Sequence, residues 1–233
     1  MAFNYSPKIV TDGLVLYLDA ANTKSYMSGS TTWNDISRSG FNGTLTNGPV
    51  FNTGSGGSIV FDGVNDYIAS SNILNVSNRF TVNAWVRVTT LSPNAATRRV
   101  IMSNDYPFSV GRGFCFSASG NNGTDFWISL GRDQKLAVSS TGLIAANTTY
   151  MLSVRVNATD LIKLYRNGTE VTYATRTDGN VSLSYNTGYI LGTRNVVGDF
   201  FAGNIYNIQV YDRALSDIEV LQNYNALKGR YGL

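Results

Sequence analysis

The residues best equipped for chemistry in this chain are aromatic, amide and guanidinium side chains that share one side of predicted strands. Across Phe80 to Val88 the even positions Phe80, Val82, Ala84, Val86 and Val88 are apolar and predict a core face. Odd positions put Thr81, Asn83, Trp85, Arg87 and Thr89 on the other face. The same split at Tyr150 to Asn157 turns Leu152, Val154 and Val156 inward and leaves Ser153, Arg155 and Asn157 outside. Late in the chain, Tyr206, Ile208 and Val210 read as inward against Asn207, Gln209 and Tyr211. Trp127 shares a face with Asp125 and Ser129. A set made of Asn83, Trp85, Arg87, Trp127, Arg155, Gln209 and Tyr211 suits carbohydrate: aromatic rings cover the apolar faces of sugars while amides bond hydroxyls. Packing competes with that reading. Trp85 could lie under a loop or a C-terminal helix, or serve a subunit contact, where aromatic and Arg residues are enriched.

Catalytic chemistry is much less well supplied. The chain has no histidine, which removes Ser-His-Asp and Cys-His nucleophiles, His-based zinc sites and the usual neutral-pH acid/base. Its only glutamates are Glu170, in a predicted hairpin, and Glu219, in a predicted helix cap. Retaining glycoside hydrolysis needs two carboxyl groups about 5–5.5 Å apart, and no strand carries clustered acids. A glycosidase is therefore the weakest reading, and the chain is expected not to be an enzyme. Cys115 lies between Phe114 and Phe116 and reads as a buried thiol; alone, it excludes an intrachain disulfide. Gly111-Arg112-Gly113 lacks the following helix of a phosphate loop and reads as a turn.

The elements that must position these groups are almost all strands. Strand signals recur along the 233 residues, punctuated by Asp12-Gly13, Asn42-Gly43, Asn47-Gly48, Asn122-Gly123, Asn167-Gly168 and Asp178-Gly179. About fourteen candidate strands suffice for two sheets of six or seven. Ser216-Asp217-Ile218-Glu219 forms a capping box, and Val220, Leu221, Tyr224 and Leu227 an apolar stripe, predicting one short C-terminal helix stopped by Gly229. No linker divides the pattern, so one domain is expected. Charged residues are only 14%, and the net charge of +3 is spread without a Lys/Arg run, which argues against nucleic acid. No apolar run reaches the ~20 residues of a membrane helix, so no membrane insertion is expected. Met1 to Lys8 lacks the pattern of a secretory signal peptide, which predicts synthesis in a cytoplasm.

Phe61-Asp62-Gly63-Val64-Asn65-Asp66-Tyr67, Leu164-Tyr165-Arg166-Asn167-Gly168, Gly203 to Tyr211 and Leu215-Ser216-Asp217-Ile218-Glu219 stand in an order that resembles the laminin-G-like branch of the concanavalin A-like lectin/glucanase superfamily. The resemblance runs from about Gly13 to Tyr224. It implies an all-β, two-sheet antiparallel jelly-roll sandwich over 13–227, with an N-terminal arm at 1–12 and a tail at 228–233, in a family that usually binds rather than reacts. It also implies calcium as the one cofactor to weigh. The ligands would be Asp35, Asp62, Asp66 and Asn207, although Arg38 and Ser39 add positive charge and bulk where relatives carry Gly-Asn, and Asx-turn hydrogen bonds are the alternative role. Gly13 to Asn22 and Tyr224 to Gly229 resemble laminin-G-like phage proteins particularly. The function expected is thus a lectin-like structural protein at the virion surface, as capsid decoration or tail appendage. Its partners would be other virion proteins, further copies of itself and host surface glycans, with a free carbohydrate-binding lectin or adhesin as the alternative.

Overall fold

Alternating apolar and polar residues, cut by turns that tolerate left-handed backbone, produce a sandwich of two antiparallel sheets. The computed structural model describes residues 7–92, 97–104, 113–119, 123–131, 133–185, 188–194 and 198–233. Strands β1 to β6 are Leu14–Asp19, Thr32–Trp33, Gly43–Thr46, Val50–Asn52, Ser58–Asp62 and Tyr67–Ala69. Next come β7 (Phe80–Val88), β8 (Val100–Ser103), β9 (Phe114–Ala118), β10 (Phe126–Leu130) and β11 (Lys135–Ser139). The last six are β12 (Thr149–Val156), β13 (Lys163–Arg166), β14 (Thr169–Glu170), β15 (Tyr173–Arg176), β16 (Ile190–Leu191) and β17 (Ala202–Tyr211). One helix follows, α1 (Asp217–Leu227), and a 3-10 turn over Lys228–Tyr231.

The first sheet is ordered β14-β13-β12-β7-β17-β5-β4, with β1 also paired to β17; the second runs β15-β11-β10-β9-β8-β16-β6-β3-β2. Eight and nine strands exceed the expected six or seven per sheet, because several are two- or three-residue pairings too short to show a period in sequence. The core lies between the sheets. Phe80, Val82, Ala84, Val86 and Val88 of β7 and Leu152, Val154 and Val156 of β12 face it, as the parity predicts.

The turns hold mostly as read. Asn167 (φ 54°) and Gly168 (φ 80°) both take left-handed backbone between β13 and β14, as a two-residue hairpin turn requires. Asn42-Gly43 and Asp178-Gly179 are different: neither glycine takes a positive φ, Gly43 begins β3, and Asp178 forms an isolated bridge with Leu161. Asn122, Gly111 and Arg112 lie outside the described residues. Gly203 (φ 145°) is needed where β17 crosses β7: a Cβ there would sit 2.0 Å from the Arg87 carbonyl oxygen.

Parity fails at one place in β17. The β7 ladder pairs Ile205 with Val86 and Asn207 with Trp85, leaving Tyr206 as an extra residue in a bulge. Tyr206 therefore joins the cluster outside the sheet, contrary to its expected inward direction, while Ile208 and Val210 remain in the core.

Helix α1 opens on the complete capping box: Ser216 accepts from Glu219 N, and Glu219 accepts from Ser216 N. Its buried residues are Val220, Asn223 and Leu227, whereas Leu221 is 41% exposed. An amide replaces the expected leucine because it bonds across the interface: Val10 N donates to Asn223 Oδ1 (2.8 Å), and Asn223 Nδ2 donates to the Tyr211 hydroxyl (3.1 Å). Nor does the chain stop at Gly229. It continues through the 3-10 turn to Gly232, which supplies the left-handed stop (φ 72°).

Candidate functional site

Helix α1, the 3-10 turn and the arm around Val10 lie on the outer face of the first sheet and close it. Trp85 is fully buried there, stacked on Tyr224 (centroids 5.6 Å apart, planes 11°) and against Tyr231 (4.4 Å). Met151, Tyr165, Tyr206, Tyr211, Leu215, Val220 and Leu227 complete this second apolar cluster. The Tyr211 hydroxyl donates to the Val10 carbonyl (2.9 Å), and Asn83 Nδ2 donates to Gln209 Oε1 (3.2 Å). Asn83, Trp85, Gln209 and Tyr211 thus form an interface with the C-terminal segment in place of an open ligand face. At the margins, Arg87 donates to the carbonyl and side-chain oxygens of Asn147 (both 3.1 Å), and Arg155 pairs with Asp160 (3.1 Å) and Asp217 (3.4 Å). Asp217 also accepts from Lys163 and Tyr165, tying the helix start to β13.

An ion pair to a buried carboxylate fastens the tail. Arg230 donates to both oxygens of Asp19 (2.8 Å each), and Asp19 is 1% exposed. Beside it, Asn207 is fully buried next to the Tyr17 hydroxyl, and its amide makes no hydrogen bond of good geometry among the described residues.

Trp127 belongs to the opposite sheet. With Val100, Cys115 and Val138 it forms a small cluster on that sheet's outer face, against which Leu136 packs. The Arg98 guanidinium lies 4.6 Å from the indole centroid, within cation–π range. Arg98, Trp127, Asp133, Leu136 and Val138 line a cleft of about 220 Å³. Two N–H donors at this cleft, Trp127 Nε1 and Arg98 Nε, are buried without an acceptor among the described residues; the enclosed Nε1 atoms of Trp33 and Trp85 are too, and what sets Trp127 apart is the cleft beside it. Buried donors are normally paired, so acceptor oxygens from outside the chain would complete both. Of these lining residues, only Trp127 is visible from strand parity; Leu136 and Val138 arrive by pairing of β10 with β11, and Arg98 lies outside any strand.

The expected calcium ligands do not form one cage. Asp35 accepts from Tyr17 N, Ser37 N, Ser37 Oγ and Phe41 N, at 2.8 to 3.1 Å. Asp62 accepts from Val64 N and Asn65 N, and Asp66 accepts from Asp62 N. These are Asx-turn arrangements, and Asn207 lies apart from them beneath the tail. Among the described residues no three potential His, Cys, Asp or Glu ligands converge. The donor set does not fit a common ion.

The glutamates are both engaged. Burial alone would raise the Glu170 carboxyl, but hydrogen bonds from Lys163 and Tyr173 and the charges of Lys163 and Arg176 hold it below its ordinary value. The Arg213 hydrogen bond holds Glu219 down at about 2.

A family model described as the concanavalin A-like lectin/glucanases superfamily, laminin-G type, matches residues 62–221. Among solved structures, domain 4 of AbnA, a GH43 extracellular arabinanase from Geobacillus stearothermophilus, in complex with arabinotriose, has 21% identity and a TM-score of 0.66, covering 91% of this chain and 98% of that domain. The binding domain of Paraclostridial Mosquitocidal Protein 1 has 20% identity and a TM-score of 0.67, over 93% of this chain and 52% of that one. The receptor-binding domain of botulinum neurotoxin type G has 16% identity and a TM-score of 0.63, over 91% and 51%. The chain thus spans about half the length of these toxin domains. No curated protein matches the chain.

Proposed function

The chain belongs to the concanavalin A-like lectin/glucanases superfamily, and on that premise we propose that it is a non-enzymatic, lectin-like domain that binds carbohydrate on the exterior of a bacteriophage particle. The observation that carries the binding reading is the Trp127 cleft, with its unpaired indole and guanidinium donors. Sugar hydroxyls supply acceptors for both donors, and the exposed Asp133 carboxylate can accept a hydroxyl proton in return. Ligand pockets usually occupy about 300–1,000 Å³, so this smaller cleft suits a single ring. The arabinotriose complex of a domain with the same architecture supports the reading. The glutamates offer no general acid for glycoside hydrolysis, which needs a raised pKa: both are pushed the other way, while Asp66, a carboxyl that burial raises, accepts from Asp62 N within its own turn.

The exterior location rests on surface chemistry: few charges, no basic stripe and many neutral polar groups. A one-ring site is weak singly, whereas repetition on a particle multiplies avidity by ~10²–10⁴. Virion proteins and further copies of the chain are then its partners, in a capsid decoration or tail appendage.

Binding to a glycan panel should weaken about 3–10-fold in Trp127→Phe, which keeps an apolar ring and removes the Nε1 donor. The chain should co-purify with phage particles and release no reducing ends from bound polysaccharides. No glycan binding, turnover, or absence from purified particles would each overturn the corresponding part.

A further inference from the structure

A larger groove, about 510 Å³, lies between the arm and the loop that follows β2. Ile9, Leu14 and Ile36 give it apolar walls, Thr11 supplies a hydroxyl, the Tyr17 and Ser37 hydroxyls are turned to Asp19 and Asp35, and Arg38 stands exposed beside them. The Arg38 backbone is in the left-handed region at φ 90°, where a residue with a long side chain is strained. Such strain persists only where neighbouring structure fixes it, and it concentrates at ligand sites. Here Asp35 fixes it. Both Asp35 oxygens are taken by donors from Tyr17, Ser37 and Phe41, which hold the loop on either side of Arg38.

Asp35 consequently accepts from the loop's own donors and forms no ion pair with Arg38. Among the described residues no ion pair or hydrogen bond engages the Arg38 guanidinium, whereas Arg155, Arg176, Arg213 and Arg230 are all ion-paired. The groove therefore presents an exposed positive group, on a backbone that Asp35 holds, beside apolar walls.

We propose that this groove is a second carbohydrate subsite, specific for an acidic sugar whose carboxylate pairs with Arg38. The planar guanidinium offers parallel N–H donors that match a carboxylate in bidentate fashion. Ile9, Leu14 and Ile36 cover the C–H face of the ring, and the Thr11 hydroxyl bonds one of its hydroxyls. The inference rests on the carbohydrate-binding reading but uses a site independent of Trp127.

Titration of the full chain with polygalacturonate, neutral arabinan and polyglutamate separates the two ideas. Arg38→Gly suits φ 90° and removes the charge, so it should keep the melting temperature while weakening polygalacturonate binding at least tenfold. Arg38→Lys, a point charge without the bidentate fork, should fall between the two. Trp127→Phe should weaken arabinan binding yet leave the further loss caused by Arg38→Gly on polygalacturonate in place, and raising salt to 0.5 M should weaken polygalacturonate binding. Arabinan binding without polygalacturonate binding, or polygalacturonate binding that ignores Arg38→Gly, would sink the acidic subsite and leave the carbohydrate reading standing. Failure to bind either polysaccharide would sink both, and binding of polyglutamate in their place would mark the groove as a peptide site instead.

Discussion

Trp85 and Trp127 hold matching places in the sequence pattern, each facing outward from a strand, one on each sheet. Trp85 is enclosed between Tyr224 and Tyr231, in a cluster as apolar as a small second core. Trp127 carries Arg98 on its ring and borders a cleft, with only a few apolar neighbours. What separates them is not local. The rings over Trp85 come from more than a hundred positions downstream and the rest of its cover from the N-terminal arm, and together they turn a face with lectin-like composition into packing. Aromatic and amide residues on an outer strand face therefore predict a contact, and only the rest of the chain decides whether that contact is internal.

The largest test of this contrast is to truncate both rings. Trp85→Ala should cost about 3–5 kcal/mol of unfolding free energy, as expected for a fully enclosed aromatic, and should leave glycan binding by the folded fraction intact. Trp127→Ala should cost about 1–3 kcal/mol, because fewer apolar neighbours surround it, and should abolish binding at the cleft. Denaturant titrations read both. Equal stability losses, or binding that vanishes only with Trp85, would reverse the assignment of the two faces.

How much of this was legible follows from where each contact originates. The inward sets of β7 and β12, the Asn167-Gly168 turn and the capping box are decided within a few residues, and all appear as read. The direction of Tyr206 was hidden because the bulge depends on the β7–β17 register, which no local spacing reports. Asn223 stood outside the apolar stripe read for the helix, since its value lies in bonds to Val10 and Tyr211 from other segments. Arg230 was likewise opaque: its partner Asp19 is on the first strand. The Trp127 cleft was half legible, through its ring but not through Arg98 or Asp133.

A smaller effect should appear on acidification, because the closed face depends on the anchoring of α1. Arg213, followed by the amide and hydroxyl of Ser216, holds Glu219 at about 2, against an ordinary value of 4.5. The folded-state value is depressed, so the stabilisation is fully present above about pH 4.5 and is lost as pH falls through about 2. Allowing for solvent screening, Glu219→Gln should cost about 1–2 kcal/mol at pH 6, and the gap to the parent protein should close toward pH 2. A gap independent of pH would mean that the carboxylate contributes only its shape.

The smallest expected effect is that of calcium, and it sharpens the contrast between turns and sites. Asp35, Asp62 and Asp66 already satisfy backbone donors within their own turns, and Asn207 lies beneath the tail, so no shared ion would repay the loss of those hydrogen bonds. An ion bound only by the folded state would add RT ln(1 + [L]/Kd), about 2.7 kcal/mol at a hundredfold excess over Kd, which thermal melts detect readily. Melting curves in EDTA and in millimolar calcium should therefore coincide, and Asp62→Asn should respond to calcium no differently from the parent. A calcium-dependent rise that Asp62→Asn or Asp66→Asn removes would show that the opening motif rearranges into a metal site. In that case the Asx-turn geometry would be the metal-free half of a switch, and the acidic turns would join the ligand-binding side of the molecule.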